Sequence, residues 1–374
     1  MNKRTIIAFV CSVFIGFQIP QCQQSLKRDK QQTKFHYLQT NFHYGYINEN
    51  DLDYLDFSNE GPSNNITYQF LSKNQKQLQK GYVKNIAVSS FKARVSLQFN
   101  GGLSEDNIRN DIFSFKPQNI GVSFSTKWDR TSFFVGYGRV KFGHNPKIDP
   151  VSDFTANVTK NDIGFNQDLG IFFKSPISAN LDGEIGVSIG GTASKSFLTY
   201  NSTIGEFDHI HLDYNGTWLI TGRIGSPVFK SFEYGIVGMS GRLDNGNNVT
   251  RQINRVGVDV LKKIGESWKI GALAVTGNTL YRDNRSDEWN YNLQGNIEYY
   301  LKGNYIFNVS NGVLINNYKD DVLQTGINGQ LINSFSYVAS PHTRFRLNHF
   351  VNYSKTNTAD WGITFQLITG FGQR

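Results

Sequence analysis

His209 and His211 stand two residues apart, a spacing that on a strand puts both imidazoles on one face, with Asp213 continuing that face and Asp208 beside it. Two imidazoles and a carboxylate are the side chains of metal ligation or of general-base catalysis. No nucleophile accompanies them and no further ligand lies near in sequence. A water-exposed pair on a rim or loop satisfies these residues more simply. The expectation is therefore no catalytic residue, no metal and no cofactor, with a membrane-embedded enzyme as the reading from a different class.

A second set is basic: Lys92, Arg94, Lys127, Arg223, Arg344 and Arg346 recur on the polar side of alternating segments. Fixed cations lining a confined aqueous passage favour anions, because their potential offsets the hydration an anion gives up. The competing arrangement is a mixed wall in which these cations pair with Asp162, Asp168, Asp182, Glu184, Glu288 and Glu298. Which of the two applies depends on the strands that carry them.

Those strands announce themselves by a period of two. From Ser90 to Asn100, Phe91, Ala93, Val95, Leu97 and Phe99 alternate with Lys92, Arg94, Ser96 and Gln98. From Glu288 to Leu301, Trp289, Tyr291, Leu293, Ile297, Tyr299 and Leu301 alternate with Glu288, Asn290, Asn292, Gln294, Asn296 and Glu298. Asp162 to Phe173 reads the same way, with Ile163, Phe165, Leu169, Ile171 and Phe173 on its apolar side, and so does Ser178 to Ile189. These runs exceed the usual five or six residues of a soluble sandwich and match a tilted bilayer crossing. Aromatic residues near the ends of the apolar faces, among them Trp128, fit an interfacial belt. The amide and carboxylate faces need water, since burying them dry is costly.

The start of the chain reads as a secretory leader, with Lys3 and Arg4, an apolar run from Ile6 to Phe17, and polar sequence from Gln21. Residues 1–22 are expected to be removed, leaving 23–374 as one barrel; lipid attachment at Cys22 is disfavoured because Gln21 is not small. Both cysteines, Cys11 and Cys22, lie in the leader, so the remainder has no thiol chemistry. Composition agrees with a barrel: 14% aromatic and 36 Gly against 8 Pro, with a mean hydropathy of only -0.40 because alternation dilutes the apolar residues. The net charge of +8 suggests lipopolysaccharide or small anions; export argues against nucleic acid.

Connections alternate in length. Tight turns are expected at Trp128-Asp129-Arg130, Ser175-Pro176, Gly225-Ser226-Pro227, Ile264-Gly265 and Gly303-Asn304, and longer links at 147–160, 241–252, 283–287 and 318–321. One short rim and one long rim define an antiparallel up-and-down transmembrane barrel of 14–16 strands, 16 favoured. Residues 47–87, rich in Asn, Gln and Lys, have no clean period and are expected to form a long first loop, with a short helix plugging or flanking the barrel, or an insertion, as the alternatives. Gly136-x-Gly138 and Gly190-Gly191 lack a strand-to-helix context and read as barrel glycines. The last strand places Trp361, Ile363, Phe365, Leu367 and Phe371 on one face, which resembles the signal read by the barrel-assembly machinery.

Phe91 to Phe99 and Phe133 to Pro146 resemble strands of the outer-membrane porin superfamily that includes the phosphate-selective porins of Gram-negative bacteria, and Asp162 to Gly190 is similar too. The resemblance implies a sixteen-stranded barrel in the outer membrane, in contact with its lipid and lipopolysaccharide, passing small polar or anionic solutes by diffusion. A homotrimer is the candidate assembly. The alternative is a structural or secretion-associated barrel without channel activity.

Overall fold

The computed structural model describes residues 31–48, 64–80, 83–99, 111–126, 130–143, 162–163, 165, 167–191, 198–201, 206–209, 216–227, 230–244, 250–281, 287–301, 304–318, 326–354 and 360–372. Eighteen strands follow in order: β1 Gln31–Asn48, β2 Asn64–Lys80, β3 Val83–Phe99, β4 Asp111–Thr126, β5 Ser132–Arg139, β6 Gln167–Ser178, β7 Leu181–Ser188, β8 Leu198–Asn201, β9 Glu206–His209, β10 Trp218–Gly225, β11 Phe232–Asp244, β12 Thr250–Ile264, β13 Trp268–Tyr281, β14 Glu288–Tyr300, β15 Tyr305–Tyr318, β16 Gly326–Ser340, β17 Thr343–Ser354 and β18 Asp360–Gly372. Sixteen of them form an antiparallel wall. β7 pairs with β10, and β18 closes onto β1 from Tyr37↔Gly372 to Asn48↔Trp361. Closing the ring in this way removes the first and last strands as free edges, the arrangement that keeps backbone groups paired where a wall meets hydrocarbon. β8 and β9 stand apart as an accessory hairpin on the link between β7 and β10, with β8 touching the outer end of β4 at Phe115↔Leu198.

The two rims differ as expected. Links 81–82, 179–180, 265–267 and 341–342 are short, whereas 49–63, 100–110, 140–166 and 189–217 are long. In barrels of this type the short rim is periplasmic. The expected turn at Ser175-Pro176 is corrected: both residues lie inside β6, and the chain reverses at 179–180. Proline survives there because the ladder shifts register between Pro176 and Ser178, a bulge that does not need its missing N–H. The link expected at 241–252 narrows to 245–249.

The expected loop at 47–87 is also corrected. β2 occupies 64–80 and pairs with β3 along its whole length, from Asn64↔Phe99 to Lys80↔Val83. The period was hidden because the lipid-facing column is brief: Ile66, Tyr68 and Phe70 give way to Ser72 and Asn74 as the strand runs past the bilayer. Asp162 to Phe173 is likewise not one strand, since β6 begins only at Gln167.

Burial alternates as the strands do. Ile171, Val187, Ile220, Ile236, Val258 and Leu293 are exposed on the outer wall. Asn290, Asn292, Gln294, Asn296 and Glu298 of β14 are buried on the inner one. Aromatics mark both edges of the outer apolar band: Trp218, Trp289 and Trp361 toward the long rim, Trp268, Tyr305 and Phe371 toward the short one. Trp128 lies outside the described residues.

Candidate functional site inside the barrel

The described ends of the connection between β5 and β6, residues 140–143, 162–163 and 165, pack against the inner side of the barrel wall. They carry Val140, Phe142, Ile163 and Phe165, all buried, in one apolar cluster with Leu219, Val237, Met239, Leu243, Ile253, Leu273 and Val275. The latter seven are inward-facing residues of β10 to β13, alternating with the lipid-facing ones. Ile163 and Phe165, expected on a lipid-facing strand side, are instead buried in the interior. Removing such surfaces from water is worth roughly 1.5–3 kcal/mol per large side chain, enough to hold the connection against the wall.

An ion pair locks the same contact. Asp162 receives Arg255 Nε at 2.8 Å and Arg255 Nη2 at 2.7 Å, a two-pronged carboxylate–guanidinium geometry in which both side chains are 1% exposed. Arg255 Nη2 also donates to Thr279 Oγ1 and Asn290 Oδ1, and Arg251 Nη2 donates to the Asp162 carbonyl. Gly191 supplies the space: its φ is +97°, and a Cβ there would stand 2.6 Å from the Phe165 ring. Gly190 and Gly191 both donate backbone N–H groups to Asp168 Oδ2, at 2.8 and 3.0 Å. These two glycines form a small nest around a buried carboxylate.

Further pairs tie this side of the wall together. Arg223 donates from Nε to Asp259 Oδ2 at 2.8 Å and from Nη2 to Asp259 Oδ1 at 3.0 Å. Lys174 bridges Glu184 and Asp182, which also faces Arg130, and Lys269 pairs with Glu298. The mixed wall is therefore real from β6 to β14, and Arg223, one of the six expected pore-lining cations, belongs to it.

The rest of the wall is different. β15, β16, β17, β1, β2 and β3 contain no Asp or Glu, and β18 has only Asp360, its first residue. Lys92 and Arg94 point inward from β3, on the parity opposite to exposed Phe91. Arg344 and Arg346 point inward from β17, where Arg346 Nε donates to Ser336 Oγ at 2.9 Å. The register links these groups: Arg94 pairs with Gln69, Gln69 with Tyr37, and Tyr37 with Gly372 at the end of β18. With strands tilted by about 40°, a level line climbs back by about one residue per strand, bringing Arg344 and Arg346 close to the height of Lys92 and Arg94. A bulge sharpens the placement of Arg94, whose partner is Asn119 while Val95 pairs with Pro117. Lys127 lies outside the described residues.

Of the histidine set, only Asp208 and His209 fall among the described strand residues. His209 ends β9 on the accessory hairpin, opposite Leu198, and His211 and Asp213 lie outside the described residues. What sequence reasoning missed is the docked connection. Its apolar ends, Val140, Phe142, Ile163 and Phe165, have the same strand-like alternation as a lipid face. The available clue was the inward parity of Val237, Met239 and Leu243, apolar where a wet lumen wants polarity.

No family model and no curated protein matches the chain. Solved structures do. OmpT, an outer membrane protein of Vibrio cholerae in its trimer form, superposes with a TM-score of 0.57 at 8% identity, covering 91% of this chain and 99% of that one. The anion-selective porin from Comamonas acidovorans gives 0.55 at 11% identity, over 92% and 100%. OmpF of Salmonella typhi, in complex with daunomycin, gives 0.55 at 9% identity, over 90% and 97%. The chain is a sixteen-stranded transmembrane β-barrel with the fold of the Gram-negative outer-membrane porins.

Proposed function

We propose that the protein is a passive outer-membrane channel for small polar solutes, with anions favoured. The observation that carries this reading is the inner wall from β15 round to β3, whose strands hold no acid beyond Asp360 at the start of β18 and which presents Lys92, Arg94, Arg344 and Arg346 to the interior. A cationic strip in a confined passage lowers the barrier to anions and raises it for cations. On the other side, the described ends of the β5–β6 connection pack on β10 to β13. No bond making is required of any residue, and no cofactor. Residues 1–22 serve as a removable leader, and the mature chain works among outer-membrane lipid and lipopolysaccharide as a homotrimer, the assembly named for the OmpT structure.

A second reading has its own support: a barrel that anchors or partners other components without conducting. Several inward polar side chains are almost fully covered, with Ser310, Gln330, Gln366 and Asn348 at most 1% exposed. Single-channel recording of the folded protein in planar bilayers separates the two. Discrete conductance steps support the channel. Their absence from a folded, heat-modifiable preparation supports the closed barrel.

A further inference from the structure

Most turns of the short rim follow directly on the outer apolar band. Ile177, Phe232, Trp268 and Tyr305 are exposed on the outer wall and lie within two residues of a strand end. The hairpin of β2 and β3 overshoots. Its outward apolar residues stop at Phe70 and Phe91, with Ser72 opposite Phe91, yet the ladder runs on to Lys80↔Val83. β1 leaves β2 at Gln31↔Gln75, and β4 leaves β3 at Thr126↔Ala87. The rungs from Gln77↔Ile86 to Lys80↔Val83 therefore have no neighbouring strand among the described residues. The tilted stretch from Ser72 to Lys80 reaches about 20 Å past the band, whereas the headgroup layer is only about 5–8 Å deep.

The chemistry of this extension is one-sided. From Ser72 to Ser90 it carries Lys73, Lys76, Lys80 and Lys84 and no Asp or Glu. The turn between β12 and β13 on the same rim is balanced: Glu266 sits among Lys262, Lys263 and Lys269, and Lys269 pairs with Glu298. Membrane lipid does not account for a basic tip. At physiological salt a charge is screened within about 8 Å, and the rungs that hold Lys80 and Lys84 stand farther than that beyond the headgroups. A globular protein partner suits it no better. Protein contacts are anchored by clustered aromatic and aliphatic side chains, and Ser72 to Lys80 contains a single one, Leu78.

We propose that this hairpin is an arm that holds the periplasmic cell wall, its lysines taking the free carboxylates of peptidoglycan stem peptides. The proposal goes beyond the channel reading and rests on the short rim facing the periplasm. A single exposed ammonium–carboxylate pair contributes little. A polymer that repeats its carboxylates engages several lysines at once, and each further pair forms within one bound complex. Reach selects the same partner, since the mesh lies in the aqueous space beyond the headgroups.

The test uses the full folded chain in phosphatidylcholine nanodiscs, sedimented with purified peptidoglycan sacculi. Lys73→Gln with Lys76→Gln, Lys80→Gln and Lys84→Gln is compared with Lys262→Gln and Lys263→Gln, two exposed lysines of the same rim. The wild type and the control variant are expected to pellet with the sacculi. The fourfold variant should bind at least about tenfold more weakly, with unchanged β-circular dichroism and heat-modifiable mobility. If it does not fold, the tip pair Lys80→Gln with Lys84→Gln carries the comparison. Amidating the sacculus carboxylates, or raising salt to about 0.5 M, should release the wild type. A wild type that stays in the supernatant overturns the proposal and leaves the lysines as guards of open strand edges. A fourfold variant that pellets like the wild type overturns it too, as do amidated sacculi that bind as well as native ones. Phosphatidylglycerol vesicles captured through the same lysines, with sacculi ignored, would return the contact to the lipid surface and equally refute it.

Discussion

The two halves of the inner wall use charge in opposite ways. From β6 to β14, carboxylates and cations occur together and neutralise each other: Arg255 with Asp162, Arg223 with Asp259, Lys174 with Glu184, Lys269 with Glu298. From β15 to β3 the strands supply cations with no acid beyond Asp360. Paired charges in a low-dielectric interior act as fasteners, and their value is geometric: they fix where the β5–β6 connection sits. Cations without neighbouring carboxylates are not neutralised and set a local potential. On the proposed reading, one barrel separates holding from selecting, with the apolar cushion of Phe142, Ile163, Phe165 and their neighbours on the holding side.

Breaking the fastened half should produce the largest changes. Arg255→Ala strips the buried Asp162 of its partner, and the loss expected is about 3–5 kcal/mol in urea unfolding from liposomes, with noisier single-channel current. Replacing both Arg255 and Asp162 with apolar residues should recover much of that loss, which separates the stranded charge from the contact itself. Phe165→Ala empties part of the cushion and should cost about 3 kcal/mol by the same measurement. Gly191→Ala is expected to cost about 1–3 kcal/mol, because an alanine at positive φ is strained and its Cβ meets the Phe165 ring. Arg346→Gln, on the other half, gives up a hydrogen bond to Ser336 and should cost about 1–2 kcal/mol, well short of Arg255→Ala. Its effect belongs in the permeability ratio. If Arg346→Gln destabilises as much as Arg255→Ala, the division between the halves fails.

The outer wall is the part most legible from sequence. Trp289 to Leu301 and Trp361 to Phe371 alternate so regularly that strand and lipid-facing side follow from the residues alone, though not the register between strands. β2 escaped because only Ile66, Tyr68 and Phe70 carry the signal before both faces turn polar beyond the bilayer. The inner site was legible residue by residue and not as a whole. Lys92, Arg94, Arg344 and Arg346 read as inward from parity, but their shared acid-free wall emerges only when β18 closes onto β1 and brings the chain's two ends together. Asp162 and Arg255, far apart in sequence, have no local pattern to link them. A connection that folds inward hides its apolar residues among those of the strands, since period two cannot tell lipid from a neighbouring protein surface.

The reversal potential across a bilayer with a potassium chloride gradient tests the central claim most directly. The account predicts that the wild type passes chloride over potassium. It also predicts that Arg94→Glu with Arg344→Glu and Arg346→Glu reverses the sign while Arg223→Gln leaves it unchanged. A wild type selective for potassium, or a triple variant with the wild-type reversal potential, would contradict it.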